Sequence, residues 1–437
     1  MTVHRLGLWV RLEIVARVFV AASPLLCALA FVWRRLLFRT TFVAITGSLG
    51  KTTTKQCVAA CLATRYRTSC PRGNQNSDAQ LALAVLRVRP WHRYAVLEVA
   101  AGRPGRMARR LPFVRPDVSI VLGVARTHTV AYPSLDACAA EKALLVGALR
   151  PGGLALLNAD DGRVTAMRVP AGCTVWRFGI GAQAEVRGET VSARWPERLS
   201  VRATHAGETQ IVRTQLVGAH WMPTVLAALA VARHAGVSLE AAAGALQKVA
   251  PVIGRLQPLP LPSGATVIRD DYNGTVDTLD PALRILTEAA VTRRVLLVSD
   301  VADFGKKRIH RLRHLGRAAA RSADLALFVG QYAAYGRRRA VEAGMPPDHA
   351  RDFRTLEEAA RFLRTELGPG DLLLLKGRTT DHVARVYHAL VGTIECWKVA
   401  CGRYTLCDRC WELGARAESV PETAPEPPAP APGGARD

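Results

Sequence analysis

The sequence predicts an α/β fold, because short apolar runs alternate with segments of helical composition in two successive stretches of the chain. The first stretch holds FVAIT (42–46), YAVLEVA (94–100), VSIVLGV (118–124) and LALLNA (154–159). The second holds ATVIRDDYN (265–273), RRVLLVSD (293–300), LALFVG (325–330) and DLLLLKG (371–377). Near-continuous Val, Ile and Leu in runs this short is what a strand buried on both faces requires, so both sheets are expected to be mostly parallel. With 437 residues, 49% hydrophobic and 22% charged, the chain has material for more than one core, and wholesale disorder is excluded.

Residues 1–40 stand apart as a hydrophobic, basic N-terminal segment. Val18–Trp33 runs for sixteen residues without a charge, between Arg5, Arg11 and Arg17 on one side and Arg34, Arg35 and Arg39 on the other. A bilayer span wants about 20 apolar residues. Three readings therefore stand: a short or tilted transmembrane anchor, an interfacial helix with snorkelling arginines, or a helix packed on the next domain. Pro24 is expected to kink a helix running through this stretch. No small-residue cleavage site follows the apolar run, which speaks against a cleaved secretory signal.

Residues 41–252 read as a central domain. Within it, 173–217 alternate polar and apolar residues (CTVWRFG, LSVRAT, ETQIVRTQLVG), the pattern of a small antiparallel excursion, and 223–250 form an Ala-rich helix pair. The Pro and Gly content of APVIGRLQPLPLPSG (250–264) marks a domain boundary, with a C-terminal domain over 253–395. A four-cysteine segment (396–412) and a Pro/Ala-rich tail (413–437), expected to be disordered, complete the chain.

The net charge is +23, yet only eight of the 59 basic residues are Lys, and the arginines are spread over the chain rather than gathered in one stripe. A nucleic-acid footprint needs clustering as well as sum, so no nucleic-acid partner is expected. Six of the ten cysteines are scattered, mostly in apolar runs, and read as core filler. Cys396, Cys401, Cys407 and Cys410 fall within fifteen residues. Four thiolates in a compact run suit a tetrahedral Zn²⁺ site. Free or redox-active thiols and simple packing are the other two readings.

Between FVAIT and an Ala-rich helix lies GSLGKTTTK, Gly47–Lys55. Gly47, Ser48 and Gly50 let backbone wrap a phosphate, and the following helix offers free N–H groups and its positive dipole end. Lys51 can reach β and γ oxygens, Thr52 can ligate Mg²⁺, and Thr53 adds a hydroxyl. The central domain is thus a P-loop domain. The general pattern wants a glycine at position 46, where Thr stands, so the loop is the shorter T-G-S-x-G-K-T-T-T.

That shortened loop resembles the ATP-binding loop of the Mur ligase superfamily, and the resemblance extends over most of residues 41–395. It is closest to the D-alanyl-D-alanine-adding branch. Its carriers, in the family's order, are GNQNSDAQLAL (73–83), LEVAAG (97–102), RPDVSIVLGVARTHTVAYPSLDACAAEKALL (115–145), LNADDGRV (157–164), GAHWMPTVLAALAVA (218–232), GRLQ (254–257), IRDDYNG (268–274) and LLKGR (374–378). The resemblance implies a Rossmann-like C-terminal ligase domain and a ligase that phosphorylates a carboxylate with ATP before an amine attacks. It implies two Mg²⁺ sites, the first held by Thr52 with the phosphates and the second by Glu98, His128 and Lys142, Lys142 as a carbamate, with Lys51 on the phosphates. It places His220, Arg255 and Asn273 by the nucleotide. Asn74, Asn76, Asp303, Lys376 and Arg378 fall on the substrate side.

Thr224, Thr275 with Val276, and Gln80 with Ala82 depart from the family's Asn, Asn-Pro and Gly…Pro. Only about forty residues precede the loop here, where muramyl ligases carry a UDP-sugar-binding domain. The expected acceptor is therefore a non-UDP carboxylate, membrane- or polymer-linked, and the donor an amino acid or small amine. The expected location is the cytoplasmic face of the inner membrane, against a membrane surface, with plain cytoplasm as the alternative. The rival reading is a non-catalytic ATP-binding scaffold of a membrane biosynthetic complex.

Overall fold

The computed structural model describes residues 21–73, 77–125, 131–274, 276–299, 308–399, 401 and 406–414. They group into two compact units, one drawn from Met1–Glu189, Val201–Arg213 and Trp221–Val249, the other from Thr190–Ser200, Thr214–His220 and Ala250–Asp437.

The first unit opens with helix α1 (Ser23–Leu36). Pro24 lies in its first turn, where a missing N–H costs nothing; the chain before residue 21 lies outside the described residues. Then come β1 (Thr41–Thr46), α2 (Lys51–Ala63), β2 (Thr68–Ser69), α3 (Asp78–Leu86), β3 (Tyr94–Glu98), α4 (Arg106–Val114), β4 (Val118–Val121), α5 (Leu135–Gly147) and β5 (Leu154–Asn158). After a short turn of helix, α6 (Gly162–Thr165), follow β6 (Thr174–Gly179), β7 (Val186–Ser192), β8 (Ser200–His205), β9 (Glu208–Arg213), α7 (Met222–His234) and α8 (Leu239–Gln247).

The strands form one nine-stranded sheet in the order β2-β3-β1-β4-β5-β6-β7-β8-β9. From β2 to β7 every pairing is parallel. The expected antiparallel excursion therefore begins later than 173: β6 still pairs in parallel register, Leu154–Asn158 with Thr174–Phe178. β8 and β9 are neighbours joined by Ala206 and Gly207, both at positive φ (50° and 83°), a two-residue hairpin turn that makes this pair antiparallel.

One face of α1 is fastened to this unit. Ala30 and Leu37 sit in a core cluster with Leu81, Val85 and Phe113, and Trp33 Nε1 donates to Val88 O at 2.9 Å. Arg34 is buried: it donates to Val114 O (3.1 Å), Arg115 O (2.8 Å) and Asp117 Oδ2 (2.8 Å), and the same Asp117 oxygen accepts from Phe42 N (2.8 Å). Of the three readings for this segment, packing on the next domain holds for this face. No helix among the described residues is long and apolar enough to cross a membrane.

The second unit runs β10 (Gln257–Pro260), β11 (Thr266–Asp270), α9 (Val276–Glu288), β12 (Arg293–Ser299), α10 (Arg308–Ser322), β13 (Leu325–Val329), α11 (Ala333–Glu342), β14 (Ala350–Phe353), α12 (Leu356–Glu366), β15 (Asp371–Lys376) and α13 (Ala384–Val391). Its six-stranded order is β10-β11-β15-β12-β13-β14, parallel except for the β10–β11 edge pair. β10 was not expected, because it lies inside the Pro-rich boundary stretch. Pro258 and Pro260 are tolerated there because β10 is an edge strand.

The four-cysteine segment packs on this unit. Cys407 and Leu413 belong to its core cluster, and Glu395 N donates to Leu413 O at 2.9 Å.

Candidate active site

The loop after β1 is shaped by two glycines. Gly50, at φ +81°, caps α2, and Gly47 sits at φ +151° where a Cβ would lie 2.9 Å from Leu122 Cβ. No larger residue fits at Gly47 without moving β4's exit, so Gly47→Ala is expected to displace the loop and weaken ATP binding about tenfold or more, measurable by titration calorimetry. Ser48 fixes the loop from its other side: its N donates to Gly123 O (2.9 Å), and its Oγ accepts from Ala125 N (2.8 Å). Lys51 folds over the loop, with Nζ donating to Gly47 O (2.7 Å) and Ser48 O (3.2 Å).

Thr52 and Glu98 meet. The Thr52 hydroxyl donates to Glu98 Oε2 at 2.8 Å, and both side chains are buried, one on the first turn of α2 and the other at the end of β3. The parallel register of β1 with β3 sets this up, pairing Ile45 with Glu98 so that both strands end at the loop. Hydroxyl and carboxylate are hard oxygen donors of the kind Mg²⁺ takes. Among the described residues the Thr46 and Thr53 hydroxyls are buried without a hydrogen-bond partner. Such groups cost stability unless an oxygen-rich ligand or water satisfies them. The tight glycine cradle, the orphaned Thr53 hydroxyl and the oxygen donor pair all fit a phosphate–Mg²⁺ group.

The loop leaving β4 is tied down on several sides. Leu122 N donates to Thr46 O (3.0 Å), Asn158 Nδ2 to Leu122 O (2.7 Å), and Val124 N to Asp161 Oδ2 (2.7 Å). It leads toward His128, which lies outside the described residues, as do Asn74, Asn76 and Asp303.

Lys142 lies on α5 and is 1% exposed, with Nζ 2.8 Å from Cys138 Sγ one turn earlier. It does not pair with Glu141, whose carboxylate accepts from Gly105 N (2.9 Å) and Met107 N (2.7 Å) at the start of α4. Burial, with Glu141 and Cys138 nearby, raises the pKa of the Tyr132 phenol, and its hydroxyl donates to Ala101 O (2.8 Å), three residues past Glu98.

Thr224 was noted only as a departure. It lies under the loop, its hydroxyl 3.0 Å from that of Thr54, which in turn donates to Gly50 O (3.0 Å). Asn158, Asp161, Glu141 and Thr224 were all missed as functional supports. The neighbourhood of Asp161 in LNADDGRV carried the one usable signal, an aspartate positioned to cap a turn.

In the second unit, Lys376 is fully buried and donates to Asp270 Oδ2 (2.7 Å), Asn273 O (3.0 Å) and Thr278 Oγ1 (2.9 Å). It clamps the loop after β11 to β15. Asp270 lies under opposing influences, of which burial is the larger and raises its pKa while Lys376 lowers it. Arg378 is half-buried and paired with Asp381 (2.8 Å), which also accepts from Ser299 Oγ (2.8 Å). The Arg255 guanidinium lies 4.5 Å from the centre of the Tyr272 ring. His220 is exposed as a residue, yet desolvation and the nearby Lys376 ammonium push its imidazole down to about 4.

The cysteine segment departs from the expected tetrathiolate. Among the described residues no group of three or more His, Cys, Asp or Glu could hold a metal ion. Instead, His382, at φ +58°, is flanked by two sulfurs, Cys401 Sγ 2.9 Å from Nε2 and Cys407 Sγ 3.4 Å from Nδ1. One imidazole cannot turn both nitrogens to one metal, so these contacts are thiol–imidazole hydrogen bonds.

Two models of one protein family match most of the chain. The Mur ligase middle domain matches residues 45–232, and the Mur ligase, glutamate ligase domain matches residues 254–379. The UDP-N-acetylmuramoyl-tripeptide–D-alanyl-D-alanine ligase of Mycobacterium tuberculosis is 32% identical over 386 residues, covering 82% of this chain and 74% of that protein. The Escherichia coli enzyme of the same name is 30% identical over 292 residues, covering 66% and 64%. Among solved structures, MurF from Acinetobacter baumannii superposes with a TM-score of 0.76 at 25% identity, covering 84% of this chain and 80% of that one. MurF ligase from Thermotoga maritima in complex with ADP gives 0.71 at 20% identity, covering 84% and 83%.

Proposed function

The chain belongs to the Mur ligase family of ATP-dependent, ADP-forming ligases, and from that premise we propose that it joins a carboxylate to an amine through an acyl phosphate. A carboxylate oxygen attacks the γ-phosphorus of ATP, the bond to the β–γ bridging oxygen breaks, and ADP leaves. The amine nitrogen then attacks the acyl carbon, the bond to the phosphate oxygen breaks, inorganic phosphate leaves, and the nitrogen gives up a proton. Such chemistry asks for positioning and charge neutralisation, with little covalent work by side chains. The observation that carries the reading is the Thr52–Glu98 pair at the mouth of the Gly47–Lys51 loop.

In this reading the loop amides and Lys51 hold the phosphates, Thr52 with the phosphates would hold a first Mg²⁺, and Glu98 with His128 a second; such ions would supply screening of the phosphate charge. Lys142, buried beside Cys138, would serve as a carbamate, an anion that would ligate the second Mg²⁺. Lys142→Ala is expected to lose most activity and to regain part of it with added short-chain carboxylates. Normal turnover without rescue would remove Lys142 from the site.

The acceptor is a non-UDP carboxylate, membrane- or polymer-linked, and the donor an amino acid or small amine, handled at the cytoplasmic face of the membrane. Support comes from the segment that departs from the family's substrate loop: Gln80 completes a capping box with Ser77 and Ala82 is buried within α3, so a helix stands where Gly and Pro would break one. The test is an ADP-release screen crossing amino acids and small amines with candidate carboxylates, UDP-muramyl peptides included. ADP release that needs both a non-UDP carboxylate and an amine supports the proposal. Release only with a UDP-muramyl peptide refutes the substrate class. ATP binding without amine-dependent release across the panel refutes the ligase.

A further inference from the structure

Among the described residues, none covers the outer face of α1. Leu25, Leu29, Val32 and Leu36 are 50–63% exposed and recur at intervals of four, three and four residues. At 100° per residue they fall within about 60° of arc, a narrow stripe opposite the face that holds Ala30 and Arg34. Phe38, 76% exposed, continues it past the helix end.

The charge around this stripe has one sign. Between Glu13 and Glu98 the only acidic residue is Asp78, and it is committed to Arg110 at 2.7 Å. Arg35 and Arg39 are exposed and lie over the Phe31 and Phe38 rings. The loop after α3 joins the same end: Arg93 Nη1 donates to Arg39 O (2.9 Å) and Thr40 Oγ1 to His92 O (2.7 Å). That loop carries Arg87, Arg89 and Trp91, all exposed.

We propose that the outer stripe of α1, with Phe38, Trp91 and the arginines around them, is a docking surface for an anionic lipid bilayer, on which α1 lies flat. A 14-residue helix is about 21 Å long, short of the roughly 30 Å hydrocarbon core. An apolar stripe flanked by arginines, with an aromatic pair at one end, is the pattern of a helix at the lipid–water boundary. Pairing of two copies through this stripe would bring the same arginines against each other with no acid between them. The surface deepens the membrane-face reading proposed above by naming where the chain would meet lipid, and it is measured without substrates, so binding and ligation can fail separately.

The test is sedimentation of the full chain with vesicles of phosphatidylcholine alone and with about 30 mol% phosphatidylglycerol. Wild type is expected to bind the anionic vesicles about tenfold more than the neutral ones. The triple variant Leu29→Ser, Val32→Ser, Leu36→Ser is expected to lower that binding about tenfold, with unchanged thermal midpoint and unchanged ADP release on a soluble substrate. Arg35→Glu with Arg89→Glu is expected to abolish the preference for anionic lipid. Equal binding by the triple variant, no wild-type binding, or a wild-type dimer that the triple variant dissociates in the absence of vesicle binding would each overturn the assignment.

Discussion

Glu98→Gln is expected to lower amine-dependent ADP formation by about two to three orders of magnitude while leaving the fold intact. Glu98 is buried at the end of β3, and its Oε2 accepts from the Thr52 hydroxyl at 2.8 Å. Glutamine keeps the length and an acceptor oxygen for Thr52 but removes the negative charge. Packing is thereby preserved, and what is lost is the attraction for a cation and the charge balance along the phosphates. Thr52→Ala is expected to match it in direction, since it removes the hydroxyl from the same pair. Steady-state ADP release with thermal unfolding on the same samples checks both. Near-normal turnover in Glu98→Gln would separate the Thr52–Glu98 pair from the chemistry.

Asp408→Ala is expected to destabilise the second unit by about 3 kcal/mol, read from denaturant unfolding. Arg269 is fully buried, and its guanidinium is shared between Asp271 (3.0 Å) and Asp408 (Nη2 to Oδ2, 3.0 Å). His388 approaches Asp408 at 3.3 Å. Removing Asp408 leaves a buried cation with half its compensation and releases the Cys407–Leu413 segment from the core. Burial raises the Asp408 pKa, but the hydrogen-bonded Arg269 guanidinium and the nearby His388 outweigh it and hold the carboxyl well below the usual range. The carboxylate's contribution is therefore present in full above about pH 4, the unfolded value, and is lost as pH falls below it. Asp408→Ala should flatten this acid limb.

Much of the fold was legible because parallel strands buried on both faces leave a coarse mark: FVAIT, YAVLEVA, RRVLLVSD and DLLLLKG all became strands within a few residues of the expected bounds. What escaped were elements defined by their neighbours. β14 (ARDF) is a polar edge strand, β10 carries two prolines, and β6 alternates in sequence yet pairs in parallel. Pairing partner and direction are tertiary facts that local periodicity does not encode.

The loop from Gly47 to Thr53 was readable because its residue types and spacing serve one geometry. Thr224, Asn158 and Asp161 were not, because a Thr under a loop or an Asp holding a backbone amide looks like any other polar residue until the chain brings it there. Lys376 was expected on the substrate side, and its three hydrogen-bond partners show it acting as a structural clamp. The zinc expectation rested on cysteine spacing alone, and the imidazole of His382 between two of those sulfurs, contributed from outside the cysteine run, was invisible to it.

The central claim is that a carboxylate is activated as an acyl phosphate before the amine attacks. It is tested most directly with the carboxylate substrate labelled with ¹⁸O in both carboxyl oxygens, by mass spectrometry of the inorganic phosphate released. The account predicts one labelled oxygen transferred to phosphate for each amide formed, and no transfer in Glu98→Gln beyond its residual turnover. Amide formation with unlabelled phosphate would contradict it.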